Sequence, residues 1–467
     1  MFTKLESGHI DELIKILGRE YVLQSDEQRD HYGRDETEKL VYLPEVVLKP
    51  ATVSEVSAIM KFANEYRIPV TPRGAGTGLS GGALPVHGGI SLSMERFNRI
   101  IHIDERNLQA VVEPGVINEV LQNAVKEKGL FYPPDPASKG SCFLGGNVAE
   151  SSGGPRCVKY GTTRDYILNL EVVLPTGEII ETGANTLKNS TGYNLTQLMV
   201  GSEGTLGIVT RIHVRLIPLP KFDLLMLVPF RNLGQACEAV SAIFRAGFTP
   251  SALELMERDA LVWVSNYVES NVVKITDDIQ AHLLIEVDGN EPELLMKEME
   301  AISMLLESYD IAEVLFADSA AQKDELWRLR RKINEAVMSN AVSKEQDTVV
   351  PRAELPALVS GIKKIGQKYN FRSVCYGHAG DGNLHIRIIR DEISDENWNG
   401  KYIKDAIAEI FMLCKLLGGT ISGEHGIGLI QQEYMHLVFS EKALEIQRQI
   451  KRVFDPNNIL NPGKMFN

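Results

Sequence analysis

Arg73-Gly74-Ala75-Gly76-Thr77-Gly78-Leu79-Ser80-Gly81-Gly82 decides how the N-terminal half of the chain is read. It contains a literal G-x-G-x-x-G at Gly76, Gly78 and Gly81, after a strand that starts at Ile68-Pro69-Val70. A Rossmann fingerprint needs those glycines to open a helix whose N-terminus faces a pyrophosphate. Here Pro85, Gly88 and Gly89 follow, and no helix can start. What remains is a phosphate cradle of another kind. Closely spaced glycines let backbone N–H groups converge on an anion, and Arg73 can add charge. A plain surface turn is the bland alternative. It does not need five glycines in nine residues, each of which costs conformational entropy.

Upstream, Thr52-Val53-Ser54-Glu55 has the form of a capping box. It opens a helix with Val56, Ile59, Met60 and Ala63 on one face. Residues 9–18 have helical spacing ended by Gly18, and the polar stretch from Gln24 to Tyr42 reads as an extended arm. Downstream, strands are expected at Ile90–Met94, Ile100–Ile103 and Ala110–Glu113, then a helix over 117–128 and a rigid extended link, Tyr132-Pro133-Pro134-Asp135-Pro136. A second glycine-rich loop runs from Gly145 to Pro155 through Gly146, Asn147, Ser151, Ser152 and Gly153, and the region continues into Tyr160-Gly161-Thr162. Two such loops without a Walker lysine suggest a large phosphate-bearing cofactor lying along backbone. Strands at Leu170–Leu174 and Glu178–Glu181 flank a hairpin turn at Pro175-Thr176-Gly177. Two late strands are expected on either side of His213. Pro218-Leu219-Pro220 is the best domain boundary.

Beyond that boundary, strands and helices alternate: strands at Leu224–Val228, at Ala252–Glu257 (a strand or strand-like edge), at Leu283–Val287 and at Glu313–Phe316, and helices over 232–245, 291–308 and 322–338. This pattern fits an α+β sheet of ferredoxin-like type. Strands Arg372–Tyr376 and Leu384–Ile389 then enclose Gly377-His378-Ala379-Gly380-Asp381-Gly382-Asn383. Helices follow over 397–417 and 440–453.

The net charge of −13, with no Lys/Arg-rich run, excludes nucleic acid as a partner. Five scattered cysteines without a Cys-x-x-Cys pair point to a reducing compartment, with no disulfide frame and no iron–sulfur cluster held by this chain. Neither a signal peptide nor an apolar run of membrane-spanning length is visible, so a cytoplasmic protein is expected, with peripheral membrane contact only through a partner.

The chemistry concentrates in Tyr376–His385 and in Ser422-Gly423-Glu424-His425-Gly426-Ile427-Gly428. Three of the ten histidines sit in these two glycine-flanked segments with acids beside them. Imidazole and carboxylate suit zinc, ferrous iron or manganese, and three protein ligands leave positions open for substrate. We therefore expect His378, His385 and Glu424 to be metal ligands, with His425 left for proton work.

At these segments and the two glycine loops, taken in this order, the chain resembles the FAD-linked 2-hydroxy acid dehydrogenases of the vanillyl-alcohol oxidase superfamily. That family includes glycolate oxidase D-subunits, D-lactate dehydrogenases and D-2-hydroxyglutarate dehydrogenases. The resemblance runs from about residue 40 to the end. It implies an N-terminal helical arm (1–40), a two-subdomain FAD-binding domain (41–219), an α+β ferredoxin-like cap carrying substrate and metal (220–425), and a C-terminal helix and tail (426–467) returning to the FAD domain. FAD contacts are implied at Arg73, Gly74, Ala75, Gly76, Thr77, Gly78, Ser80 and Gly81, at Pro133, at Gly145, Gly146, Asn147, Ser151, Ser152 and Gly153, and at Tyr160, Gly161, Ile208 and Asn461. The first loop holds neither histidine nor cysteine, so FAD is expected to be non-covalent. The family's metal ligands fall on His378, His385 and Glu424, and its catalytic base on His425.

The implied reaction is oxidation of a D-2-hydroxy acid, with D-lactate or glycolate favoured. A divalent metal chelates the substrate and acidifies its hydroxyl, His425 takes the proton, and the C2 hydride goes to flavin N5. Arg330, placed after Trp327, is a candidate clamp for the substrate carboxylate, or else a solvated helix charge. Lys344 is a weaker candidate for a distal acid group. Arg387 stands where the hydroxyglutarate enzymes have Asn, on the same strand face as His385, to meet substrate or pair with an acid. Electrons are expected to pass to quinone, an electron-transfer flavoprotein or an iron–sulfur partner, and a homodimer is allowed. D-2-hydroxyglutarate oxidation, a flavin-free metal hydrolase or oxygenase, and an electron-transfer subunit with a vestigial site are the competing readings.

Overall fold

The computed structural model describes residues 2–37 and 40–466; Glu38 and Lys39, in the expected arm, lie outside the described residues. The chain divides into two compact units, one built from 1–153, 162–219 and 424–467, the other from 154–161 and 220–423.

In the first unit, Val46–Leu48, Ile90–Ser93 and Val70–Arg73 form a parallel ladder, with Val22–Leu23 added antiparallel at the edge. Val46, Val47, Leu48, Ile90 and Leu92 are fully buried. That is why these strands read as continuous apolar runs: a parallel sheet is covered on both faces. The helix Val53–Tyr66 is capped as expected. Thr52 Oγ1 accepts from Glu55 N, and Glu55 Oε2 accepts from Thr52 N. It buries Val56, Ile59, Met60 and Ala63 in one cluster with Val46, Leu48, Ile90 and Leu92.

A second, antiparallel sheet in this unit orders Ile100–Asp104, Gln109–Val112, Ile208–Arg215, Ile167–Val173 and Ile179–Glu181. The two late strands expected around His213 are one strand. The apparent break at His213 is a register shift against Ile167–Val173, as a β-bulge gives. The polar arm also differs from expectation. Ser25 and Gln28 form a capping box that starts a short helix, Asp26–Asp30, which continues into a 3-10 turn at His31–Gly33.

In the second unit, all pairings are antiparallel. Among the described residues the sheet order is Leu315–Phe316, Phe222–Phe230, Ala281–Gly289, Ala252–Glu257, Arg372–His378, Asn383–Ile389, Ser343–Val349. Ala252–Glu257 is thus the central strand and not an edge. Helices Arg258–Tyr267 and Ala320–Asn340 cover one face, with Leu261, Val264, Leu329 and Ile333 packed on Met256, Leu284 and Tyr376. Each such buried aliphatic side chain contributes about 1.5–3 kcal/mol. The helices Arg258–Tyr267 and Leu355–Lys368 escape the sequence pattern, as does the strand Ser343–Val349, which is polar up to Thr348.

His282, in the strand Ala281–Gly289, is fully buried, and neither ring nitrogen has a hydrogen-bond partner among the described residues. Burial pushes its pKa down to about 4. The unfolded chain, titrating near 6.5, then binds a proton that the folded chain refuses, so stability is fully present above about 6.5 and falls as pH drops toward 4. Chemical denaturation should show a loss of roughly 2–3 kcal/mol between pH 7 and 4.5 from this residue. His282→Leu should flatten that slope; an identical slope in the variant would refute the assignment.

Candidate active site

Arg372–His378 and Asn383–Ile389 are joined by a 3-10 turn, Ala379–Asp381, and Gly382. Gly382 has φ 86°, and a Cβ there would collide with the Val350 carbonyl oxygen. A Cβ on Gly380 would stand 2.5 Å from Val158 Cγ2. Only glycine permits so tight a return. The register pairs Tyr376 with His385 and His378 with Asn383, and opposed residues share a face. His378 and His385 therefore stand together, ring centroids 5.5 Å apart with planes at 80°, and both are buried.

Carboxylates stand behind both rings. Glu254, fully buried in the central strand, has Oε1 at 2.9 Å from His378 Nδ1 and accepts from Arg330 Nε at 2.6 Å through Oε2. Burial pushes the Glu254 carboxyl up, but His378 and Arg330 outweigh that and hold it below the usual range. His385 Nδ1 lies 3.4 Å from Glu345 Oε1 and 3.9 Å from Asp347 Oδ1, both on the edge strand Ser343–Val349. Asp347 is itself pinned: it accepts from Asn383 Nδ2 at 2.8 Å, Ser422 Oγ at 2.9 Å and Gly423 N at 2.8 Å. A carboxylate hydrogen-bonded to Nδ1, as Glu254 is to His378, fixes ring orientation and turns Nε2 away from itself.

Arg330 is not a solvated helix charge. It is 6% exposed, and its Nη2 is buried with no hydrogen-bond partner among the described residues. Arg387, 2% exposed, lies on the face of His385 as expected and pairs with an acid, Glu345, at 2.6 Å; it also donates to Asn334. Lys344 lies on the opposite face of its strand, with Nζ 5.3 Å from the Trp398 ring centroid. In the same unit, Tyr160 donates to Asp288, and Gly161 with φ 87° ends that segment.

The other predicted residues belong to the first unit. Gly74 approaches the second glycine segment, a Cβ there lying 3.7 Å from Gly146 N, so the two segments are neighbours. The second is not a loop throughout. Leu144–Glu150 is a short helix, with Gly145 in its first turn, where a Cβ would come 2.6 Å from Pro114 Cβ. Ser151 ends the helix in the left-handed region, Ser152 N donates to Asn147 O, and Gly153 closes this stretch of the unit. Asn147 Nδ2 donates to Asn118, which in turn holds the carbonyl of Pro134, next to buried Pro133. Arg73 is turned inward: its guanidinium donates to the carbonyls of Arg34 and His31. Gly76 and Gly81 hold positive φ around half-buried Ala75, Thr77 and Gly78. Ile208 is buried at the start of its strand, and Asn461 Nδ2 donates to the carbonyls of Gly82 and Glu203.

These surfaces fit a flavin dinucleotide. No protein atom lies within 4 Å of where a Cβ would stand on Gly78 or Gly146, and buried Ser80 Oγ has no partner among the described residues. Open space beside these two glycines and an unused hydroxyl suit a pyrophosphate. His425 lies in the same unit and near the same loop. Three residues beyond it, Gly428 packs against Ser80 so closely that a Cβ would strike the Ser80 carbonyl, and Leu429 N donates to that carbonyl at 2.8 Å. Glu424 follows directly on Gly423, the residue anchored to Asp347.

Comparison with known proteins decides the family. Residues 219–465 match the FAD linked oxidases, C-terminal domain, and residues 44–183 match the FAD binding domain. The chain belongs to the FAD-linked oxidases. It is 39% identical to glycolate oxidase subunit GlcD of Bacillus subtilis, over 98% of this chain and 96% of that protein. It is 38% identical to a D-lactate dehydrogenase of Anaerostipes hadrus, over 97% of this chain and 96% of that protein. Its fold is that of p-cresol methylhydroxylase, a solved structure it matches at TM-score 0.81 with 19% identity, over 100% of this chain and 98% of that one. The vanillyl-alcohol oxidase-type fold and the family resemblance are thereby borne out, and this FAD-linked oxidoreductase carries a FAD-binding domain. The flavin-free hydrolase or oxygenase reading falls with that match.

Sequence reasoning missed Glu254, Glu345 and Asp347. Glu254 had a signal: it is a lone carboxylate in the apolar run Ala252-Leu253-Glu254-Leu255-Met256, a position that demands a buried partner.

Because Gly382 sets the turn between the two imidazoles, Gly382→Ala should lower stability by at least about 2 kcal/mol. Any zinc or manganese uptake that the unaltered protein shows in titration calorimetry should be lost with it. A variant that binds either ion normally would contradict this account of the turn.

Proposed function

We propose that this FAD-linked oxidase converts a short D-2-hydroxy acid, D-lactate or glycolate, to the 2-oxo acid, using non-covalent FAD and a divalent cation. The observation that carries the reading is the pair of buried imidazoles, His378 and His385, with carboxylates set behind them. That arrangement has a purpose if the outward Nε2 atoms hold a cation. Glu424 is the natural third ligand, because the hydrogen bonds from Ser422 and Gly423 to Asp347 tie the preceding residues to the strands that carry the imidazoles. Two His and one Glu suit zinc, iron or manganese. When bound, the cation supplies Lewis acidity at the substrate hydroxyl, and the flavin supplies the acceptor for the C2 hydride at N5.

The remaining work falls to side chains. His425, among glycines that impose no bulk, accepts the hydroxyl proton. Arg330, its Nε committed to Glu254, offers Nη2 to the substrate carboxylate. Arg387 is neutralised by Glu345, so this face offers a second carboxylate no ready cation. Monocarboxylates are therefore favoured over D-2-hydroxyglutarate. The GlcD relative is named as a subunit of glycolate oxidase. With only scattered free cysteines and no membrane-spanning helix among the described residues, we infer that electrons leave by a partner subunit or a small carrier such as quinone.

Anaerobic flavin bleaching tests this. D-Lactate or glycolate should bleach the bound FAD, and L-lactate should not. EDTA should stop bleaching without releasing flavin, and manganese or zinc should restore it. His425→Ala should keep FAD and metal but slow bleaching about 10²–10⁴-fold. A wild-type rate in that variant would remove His425 from the role of base, and bleaching that survives complete metal removal would remove the cation. The ratio of bleaching rates for D-lactate over D-2-hydroxyglutarate should exceed about 10-fold, the discrimination expected when a buried charge finds no partner.

A further inference from the structure

Glu203 lies in Gly201-Ser202-Glu203-Gly204-Thr205, a turn with no role so far. It is 5% exposed and holds φ 51°, a left-handed conformation unusual for a residue with a Cβ. Its backbone is fixed on both sides: its N–H donates to Ala149 O, and its carbonyl accepts from Asn461 Nδ2, each at 2.8 Å. This strained, fixed backbone aims the carboxylate at one place. Oε1 accepts from Ile427 N at 2.7 Å, and Oε2 accepts from Gly428 N at 2.6 Å. Those amides are the second and third after His425.

In the turn they belong to, Gly426-Ile427-Gly428, the carbonyls of Ile427 and Gly428 accept from Gln431 N at 3.0 Å and Met465 N at 2.9 Å, and Glu203 holds the amides. Gly426 has φ 78° and Gly428 φ 50°. A Cβ on Gly426 would stand 3.0 Å from Glu203 Oε1 and would collide with Glu150, so this acid pair lies directly under the residue that follows His425. Burial pushes both carboxyls up, and Glu150 further because it also faces Glu203. Glu203 is favoured as the ionised partner by its two amide donors, whereas Glu150 Oε2 has no partner among the described residues.

We propose that Glu203 is a positioning residue for the reaction: its carboxylate grips the Ile427 and Gly428 amides and so fixes the turn that carries His425. This rests on the reading of His425 as the base. The turn reaches the first glycine loop through Ser80 as well, so the same grip sets the base against the surface expected to hold the flavin.

The test uses full-length, FAD-loaded protein with Glu203→Gln and Glu203→Gly. Gln keeps the shape but turns an amide NH₂ toward one of the two N–H groups. Gly removes both acceptors and suits the left-handed backbone, so the variant should fold. Three quantities are read: FAD content, amide hydrogen exchange over 424–430, and the limiting rate and half-saturation concentration of anaerobic flavin reduction by D-lactate. Expected are unchanged FAD, faster exchange, a half-saturation concentration within about 3-fold of wild type, and limiting rates down about 10-fold for Gln and 100-fold for Gly, as a misplaced catalytic group gives. Unchanged exchange overturns the inference. So does an unchanged limiting rate, a change confined to half-saturation, or loss of FAD from both variants. Wild-type protein that no 2-hydroxy acid reduces would instead sink the proposed function, a result distinct from any of these.

Discussion

A carboxylate with no access to water sits in the middle of the second unit's sheet, and much of that unit is arranged to satisfy it. An isolated buried carboxylate would cost several kcal/mol. Glu254 avoids this by facing Arg330 from one side and His378 from the other. Removing one member of such a group typically costs about 3–5 kcal/mol. The long helix Ala320–Asn340 must therefore keep the pitch that delivers Arg330, and Arg372–His378 must keep the register that delivers His378. Orientation of one imidazole is a by-product of electrostatic necessity.

Glu286, one strand over, repeats the pattern. It accepts from Trp327 Nε1 at 2.9 Å and Ser251 Oγ at 3.0 Å and pairs with Arg156 at 3.0 Å. Arg156 and Lys159, which reaches Asp288, belong to the eight-residue excursion 154–161. These are neutralised acids on a sheet face where Asp288, Glu286, Glu254 and His378 stand on neighbouring strands. A polar row of this kind is stable only when every member is satisfied.

Much of the fold was legible because ordinary chemistry set it. The Thr52/Glu55 capping box and the apolar face behind it gave a helix that the structure reproduces. The refusal of a helix after Arg73–Gly82 rested on Pro85 and paired glycines, and among the described residues none starts before Ile90. The misreadings have physical causes. Ser343–Val349 was invisible because its inward positions carry Glu345 and Asp347, so the alternation that marks a strand is replaced by the requirements of a site. Ala252–Glu257 reads in the sequence as a strand or strand-like edge, yet it is the central strand, and Glu254 is buried there. Gly145 and Gly146 read as loop, yet both lie in the first turn of Leu144–Glu150, where the lack of a Cβ on Gly145 answers to Pro114. The imidazoles were legible from spacing alone; the acids behind them come from strands distant in sequence, and only tertiary structure joins them.

Val70, in the parallel ladder of the first unit, bridges to Leu460, and its amide and carbonyl bond Ile459 O and Asn461 N at 2.7 Å each. Lys464 then closes over Leu84. An early strand is thus completed by residues that follow the whole intervening unit in the chain. On the ribosome this unit stays open at that edge until 220–423 have been made, so its maturation waits on the synthesis of the other unit. Removing 459–461 would leave not a shortened protein but an unfinished sheet.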